Sequence, residues 1–129
     1  MEKNILVVDD EEVVLDYIKK ALSTQGYTVF TALNAKEALD ILKQKDIRVI
    51  FLDLRLPEMN GVELCRKIRE NQQTAYINVY ALTGYASLLE NKDCLEAGFN
   101  NYFTKPLSLE SLIKAAREAF EKIESCNIQ

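Results

Sequence analysis

The chain has 129 residues, 48% of them apolar and 28% charged, with a formal net charge of −4 and no histidine. This charge argues against non-specific nucleic-acid binding, and no apolar run is typical of a membrane span or a signal peptide. The absence of histidine excludes histidine-based triads, histidine-ligated zinc and a histidine phosphocarrier. The length predicts one domain over 1–129, with a core over about 3–123 and a short polar C-terminal tail.

Five short apolar runs, rich in β-branched and aromatic residues, predict β-strands. They cover residues 5–8, 28–32, 49–52, 78–82 and 101–103. A helical apolar stripe follows each run, with Asn34, Ser87 and Ser108 as predicted N-caps and Gly26 and Gly98 as predicted stops. This alternation predicts an α/β fold in which a parallel sheet is covered by helices on both faces.

The cysteines, Cys65, Cys94 and Cys126, are odd in number and lack any metal-binding spacing. Cys65 and Cys94 are interpreted as small apolar residues on helix faces. Free thiols of this kind indicate a reducing compartment, so we expect a cytoplasmic protein. Carboxylates, hydroxyls and lysines are therefore left as the groups that can carry chemistry.

Polar residues follow four of the five predicted strands. The first strand ends at Asp9 and Asp10, and the third ends at Asp53. The fourth ends at Thr83, and the fifth ends at Lys105. Ligands of open α/β sheets bind outside the carboxyl ends of the strands. If these ends are neighbours, three carboxylates converge, which is unfavourable unless they share a cation such as Mg²⁺.

The same groups match the needs of phosphoryl transfer. Lys105 supplies a compact positive charge for a phosphoryl oxygen, and Thr83 supplies a hydroxyl donor. With a cation, they predict an electrostatic clamp, and a carboxylate can act as the nucleophile that forms an aspartyl phosphate. Taken singly, each group has a structural interpretation: acids at a helix N-terminus, a turn at Thr83 or Asp53, or a solvated Lys105. Their combination at four strand ends favours the functional interpretation.

Four motifs fall in the order and spacing of a known family. They are "VVDDE" at 7–11, "DLRLPEMNG" at 53–61, "ALTG" at 81–84 and "YFTKP" at 102–106. With these motifs the chain resembles the receiver domain of two-component response regulators, from about Lys3 to Ile123. The resemblance implies a flavodoxin-like (βα)5 doubly wound parallel sheet with strand order 2-1-3-4-5, which makes the polar strand ends neighbours.

The resemblance also implies roles for the acidic residues. Asp53 is implied to be the phospho-acceptor, which takes a phosphoryl group from a phosphohistidine on a histidine kinase or phosphotransfer protein. Asp10 is implied to be a direct ligand of Mg²⁺ (or Mn²⁺), with Asp9 beside it and acting through water. The backbone carbonyl of Arg55 completes the implied protein ligands. The implied function is a signalling switch rather than an enzyme, although the domain takes part in its own phosphorylation and dephosphorylation.

A switching mechanism follows from the same resemblance. Lys105 is implied to pair with the phosphoryl group and Thr83 to donate its hydroxyl to it, because phosphorylation adds about −1.5 to −2 charges. Thr83 then vacates space into which Tyr102 turns. The face formed by helix 4, strand 5 and helix 5 thereby changes shape, which alters its binding to a downstream output domain or protein. The resemblance allows a phosphorylation-dependent homodimer, and contact with nucleic acid or membrane is not expected. Tyr102 also has a structural interpretation as a half-buried strand residue.

Two other classes of protein fit parts of the pattern. A haloacid-dehalogenase-like phosphatase also forms an aspartyl phosphate, but it needs a D-x-D motif, whereas Arg55 stands two residues after Asp53. A flavin-binding flavodoxin-like protein needs a phosphate loop after its first strand, where this chain is acidic. Arg55 is interpreted either as a cation that reaches the phosphoryl group and alters its lifetime or as a solvated arginine. Tyr85 is interpreted as a shield of the site or a partner contact.

Overall fold

The computed structural model describes residues 2–84 and 92–127, except for the side chains of residues 93, 95, 126 and 127. The predictions for Tyr85, for the cap Ser87 and for the Cys126 side chain therefore lie outside the described residues. The elements alternate strictly between strand and helix. In chain order they are β1 (Asn4–Val8), α1 (Glu12–Ser23), β2 (Thr28–Ala32), α2 (Ala35–Gln44), β3 (Val49–Asp53), α3 (Gly61–Glu70), β4 (Asn78–Thr83), α4 (Lys92–Glu96), β5 (Asn101–Thr104) and α5 (Leu109–Asn127).

The strands form one parallel sheet in the order β2-β1-β3-β4-β5. This order confirms the flavodoxin-like, doubly wound α/β architecture. The register aligns the carboxyl ends of neighbouring strands: Asp53 lies opposite Leu82 on β4, and Thr83 lies opposite Thr104 on β5. The strand ends that carry the polar residues are thus contiguous, because β1, β3, β4 and β5 follow one another across the sheet.

Helices α2, α3 and α5 begin after a residue whose side chain caps the first turn, and a glycine follows α4. The Asn34 side chain accepts a hydrogen bond of 2.9 Å from the Glu37 amide, as predicted for the start of α2. Asn60 caps α3 in the same way, accepting from the Glu63 amide at 2.9 Å. The Ser108 hydroxyl accepts from the Ser111 amide at 3.3 Å, which confirms the predicted cap of α5. Gly98 adopts a φ of +101°, a left-handed conformation that favours glycine after a helix.

Two apolar cores cover the two faces of the sheet. Side chains alternate along β1, so that Ile5 and Val7 face one core while Leu6 and Val8 face the other. Both β1 and β3 are buried at every residue, as their continuous apolar runs predict. Asp53, the last residue of β3, therefore lies where a strand packed between two apolar cores reaches the edge of the sheet.

The cysteines whose side chains are described are structural. Cys65 on α3 and Cys94 on α4 are free thiols, and both are buried. Burial raises the pKa of Cys65 to about 11, because the thiolate would lose its hydration. Burial also raises the pKa of Cys94. Both thiols stay protonated near neutral pH, in agreement with their interpretation as small apolar residues.

Arg69 joins α3 to two other segments at the edge of the sheet opposite the polar strand ends. Its Nε donates to the Gly98 carbonyl at 2.9 Å, and its Nη1 donates to the Ala75 carbonyl at 2.8 Å. Its Nη2 donates at 2.8 Å to the Asn100 side-chain oxygen, which also accepts from the Val79 amide. A single guanidinium therefore satisfies acceptors in the α3–β4 and α4–β5 connections.

We expect Arg69→Met to lower the free energy of unfolding by about 2–4 kcal/mol, because several charge-assisted hydrogen bonds are lost together. We expect Arg69→Lys to recover less than half of that loss, since an ammonium cannot reproduce the planar fork. Urea denaturation measures both variants, with the exposed Lys67→Met on the same helix as control. A lysine variant as stable as the wild type would contradict this account.

Candidate functional site

Asp9 follows β1 directly, and its side chain is fully buried. Its Oδ1 accepts a hydrogen bond from the Glu11 amide at 2.9 Å, and its Oδ2 accepts from Lys105 Nζ at 2.9 Å. Burial raises the pKa of Asp9 above its ordinary value, and the nearby charge of Asp53 acts in the same direction. The bonds from Glu11 and Lys105 oppose this rise only in part. A bound cation would therefore stabilise the charged form of Asp9.

Asp53 is the last residue of β3 and is 5% exposed. Its Oδ1 accepts from the Arg55 amide at 3.0 Å, and its Oδ2 accepts from Lys105 Nζ at 3.1 Å. The start of α3 packs tightly behind it: the Gly61 amide donates to the Leu54 carbonyl at 3.0 Å. A Cβ at position 61 would collide with the Asp53 carbonyl oxygen. The turn after β3 therefore fixes the position of the Asp53 carboxylate through its own backbone.

Lys105 follows β5, and its ammonium lies between Asp9 and Asp53. Its backbone amide donates to the Thr83 carbonyl at 2.7 Å, which ties the end of β5 to the end of β4. Burial alone would lower the Lys105 pKa, but the two carboxylates outweigh it and raise that pKa. Lys105 is therefore a cation at neutral pH. Its peptide bond to Pro106 is cis.

A set of three carboxylates meets the requirements of a divalent cation. Asp9, Asp10 and Asp53 each offer one oxygen, and these oxygens lie within 4.8 Å of one another. Asp9 and Asp53 are buried, while Asp10 is exposed. Oxygen-only donors without histidine or cysteine suit a hard ion such as Mg²⁺, which keeps several waters. The donor set thus fits the predicted cofactor.

The site opens to solvent through a cleft of about 480 Å³. Its lining includes Asp10, Glu11, Asp53, Arg55, Gly84 and Lys105. Asp53 is therefore largely buried at the strand end but reachable from the cleft.

Of the remaining predicted residues, Arg55 lies at the cleft, whereas Thr83 and Tyr102 lie on β4 and β5. Arg55 is exposed and lines the cleft. Thr83 is the last residue of β4, one strand from Asp53, and is fully buried. Tyr102 on β5 is 52% exposed, so its ring points outward rather than into the core.

Sequence reasoning did not single out Glu11 or Gly61. The Glu11 carboxylate lies 3.8 Å from Lys105 Nζ, although the sequence presents it only as part of an acidic run. Gly61 stands inside a motif, and its close approach to Asp53 depends on the path of the folded backbone. The signal for Glu11 was its position next to the paired acids. Gly61 could have been suspected as a glycine directly after the cap Asn60.

Comparisons with known proteins agree with this geometry. The family model described as "Response regulator receiver domain" matches residues 5–117. An uncharacterised 14.6 kDa protein of Leptolyngbya boryana is 36% identical over 117 residues, which cover 91% of this chain and 89% of that protein. Response regulator MprA of Mycolicibacterium vanbaalenii is 34% identical over 117 residues, which cover 91% of this chain but only 50% of MprA. The chain thus spans about half the length of that relative.

A solved structure matches nearly the whole length of this chain. The receiver domain protein (CheY-like) of Methanospirillum hungatei JF-1 superposes with a TM-score of 0.88 at 32% identity, covering 97% of this chain and 98% of that one. The chain therefore belongs to the response regulator receiver domain family of two-component signalling. Among residues 2–84 and 92–127, no helix combines the length and apolarity needed to span a membrane.

We expect Mg²⁺ to stabilise the wild type through the three-carboxylate set. At ten times its dissociation constant the gain is about 1.4 kcal/mol, or a rise of about 3–6 °C in Tm. Asp10→Asn should be more stable than the wild type without metal, since it removes like-charge repulsion, and should lose most of the Mg²⁺ response. Thermal unfolding with and without Mg²⁺ measures both effects, and the exposed Asp16→Asn serves as control. An equal Mg²⁺ response in Asp10→Asn and the wild type would contradict this assignment.

Proposed function

We propose that this receiver domain is a phospho-acceptor switch in which Asp53 takes a phosphoryl group from a phosphohistidine on a histidine kinase or phosphotransfer protein. In this reaction an Asp53 oxygen bonds to phosphorus, the bond from phosphorus to the histidine nitrogen breaks, and that nitrogen keeps the electron pair. The observation that carries the proposal is the Asp53 carboxylate, buried at a strand end, bonded to Lys105 at 3.1 Å and open to a cleft.

The proposed cofactor is Mg²⁺ (or Mn²⁺). Asp10, Asp53 and the backbone carbonyl of Arg55 would hold it, with Asp9 acting through water. When bound, the ion supplies positive charge that offsets the charge on the phosphoryl oxygens. The clustered oxygens of Asp9, Asp10 and Asp53 support this part of the proposal.

Lys105 and Thr83 are proposed to stabilise the transferred group. The Lys105 ammonium already bonds to the Asp53 oxygen, so a short movement brings it to a phosphoryl oxygen attached there. Thr83 ends the neighbouring strand, from which its hydroxyl can donate to the same group. Both groups act by position and charge, which is the main requirement of phosphoryl transfer.

The output is proposed to be a change in the face formed by α4, β5 and α5. Movement of Thr83 toward the phosphoryl group would let Tyr102 turn inward from its exposed position. Such a change biases a two-state equilibrium toward the form that binds the output domain or protein. The same face could pair two copies of the chain after phosphorylation. A cytoplasmic location is part of the proposal and is consistent with the two buried free thiols.

The proposed activity is that of a switch that takes part in its own dephosphorylation, and a haloacid-dehalogenase-like phosphatase is disfavoured. That class of enzyme uses an acid two residues after its nucleophile. At that position the present chain has Arg55, whose amide donates to Asp53 and whose side chain is exposed. The other acids come from the end of β1 instead.

Incubation with Mg²⁺ and acetyl phosphate, followed by intact mass, tests the proposal. We expect an adduct of one phosphoryl group, and we expect chelation of the divalent cation to prevent its formation. Absence of any adduct with acetyl phosphate, phosphoramidate or a phosphorylated histidine donor would refute the proposed function.

A further inference from the structure

Glu11 adds a fourth carboxylate to the site formed by Asp9, Asp10 and Asp53, outside the set that the family resemblance assigns. Its backbone amide donates to Asp9 Oδ1 at 2.9 Å, which fixes the main chain of Glu11 next to the site. Its side chain is 65% exposed, lines the cleft, and lies 3.8 Å from Lys105 Nζ. The backbone of Glu11 is thus fixed beside Asp9, while its carboxylate lies at the entrance of the cleft.

Three carboxylates share the single ammonium of Lys105. Asp9 and Asp53 contact it at 2.9 and 3.1 Å from the buried side, and Glu11 approaches it from the exposed side. A phosphoryl group on Asp53 must meet Lys105 within the cleft that Glu11 lines. Glu11 and the phosphoryl oxygens are therefore anions that compete for the same cation.

We propose that Glu11 is a positioning residue that competes for Lys105 at the mouth of the cleft and slows the acceptance of phosphoryl groups from anionic donors. This inference rests on the proposed function of Asp53. Two effects act in the same direction: Glu11 competes for Lys105, and its charge repels an incoming donor. Because the pair is partly exposed, we expect its removal to change the rate about two- to fivefold.

The test compares Glu11→Gln with Glu12→Gln at saturating Mg²⁺ and low ionic strength. Glu12 is the next residue and undergoes the same change of charge, but it begins α1 and faces a different hollow, beside Leu15 and Thr31. With acetyl phosphate, an Asp53 oxygen bonds to phosphorus, the bond from phosphorus to the acetyl oxygen breaks, and acetate leaves with the electron pair. The rate of adduct formation is followed by intact mass.

We expect Glu11→Gln to react about two- to fivefold faster than the wild type with acetyl phosphate, a dianion. The gain should be smaller with phosphoramidate, which carries one negative charge fewer near neutral pH, and should shrink at high salt. Glu11→Asp, which keeps the charge, should return the rate toward that of the wild type. A merely structural role of Glu11 would not produce this dependence on donor charge.

The possible outcomes separate this inference from the proposed function. A wild-type adduct together with equal or slower reaction of Glu11→Gln overturns the role of Glu11 alone. Equal acceleration in Glu12→Gln also overturns it, because the effect would then be one of overall charge. No adduct on the wild type overturns the proposed function and this inference together.

Discussion

Asp53→Asn is expected to abolish phosphoryl acceptance while leaving the fold intact. The asparagine oxygen can still accept the hydrogen bond that the Arg55 amide donates to Oδ1 at 3.0 Å. The other carboxylate oxygen, which now faces Lys105 Nζ at 3.1 Å, becomes an NH₂ group that is not a nucleophile. The loss of reaction should therefore be complete, whereas the change in unfolding free energy should be small compared with that of a core substitution.

Intact mass after treatment with Mg²⁺ and acetyl phosphate measures this loss, and thermal unfolding shows that the variant is folded. Asp40→Asn on α2 is a matched control, because it makes the same substitution at an exposed position away from the cleft. It should form the adduct at the wild-type rate. An adduct that persists in Asp53→Asn would place the nucleophile elsewhere.

Gly61→Ala is expected to lower the free energy of unfolding by about 3 kcal/mol. The added Cβ would collide with the Asp53 carbonyl oxygen and lie 2.8 Å from Leu54 Cα. Both neighbours are backbone atoms, so no side-chain rotation can relieve the overlap. The α3 N-terminus must then move away from β3, which weakens the bond from the Gly61 amide to the Leu54 carbonyl.

Gly84→Ala is the matched control, since a Cβ at that position meets nothing within 4 Å. Urea denaturation should place it within about 0.5 kcal/mol of the wild type. Gly61→Ala should also accept phosphoryl groups more slowly, because the collision displaces the backbone that holds the nucleophile. Equal stability of the two alanine variants would show that the turn after β3 can shift enough to accommodate a Cβ at position 61.

The strands could be predicted closely from the sequence because their apolar runs are continuous and end at charged or turn-forming residues. The structure extends β3 by one residue to Asp53 and β4 by one residue to Thr83. Periodicity alone did not give the order of the strands, since the same runs fit several parallel sheets. The order was predicted from the family resemblance and is confirmed by the strand pairing.

The sequence predicted which strand ends carry the candidate site residues, but it did not predict the distances between their side chains. An acidic run after β1 fits both a helix N-terminus and a cation site. The folded chain buries Asp9 fully against Lys105 and leaves Asp10 exposed, a difference that the run itself does not show. The contact between Glu11 and Lys105 joins residues that are far apart in the sequence, so spacing could not reveal it. The same holds for the bonds from Arg69 to the α4–β5 connection.

We propose that Asp53, among the clustered carboxylates, receives the phosphoryl group. After reaction with Mg²⁺ and acetyl phosphate, borohydride reduces an aspartyl phosphate to homoserine, and peptide mass spectrometry then locates the modified residue. We expect homoserine at position 53 alone. Homoserine at position 9 or 10, with position 53 unchanged, would contradict the account.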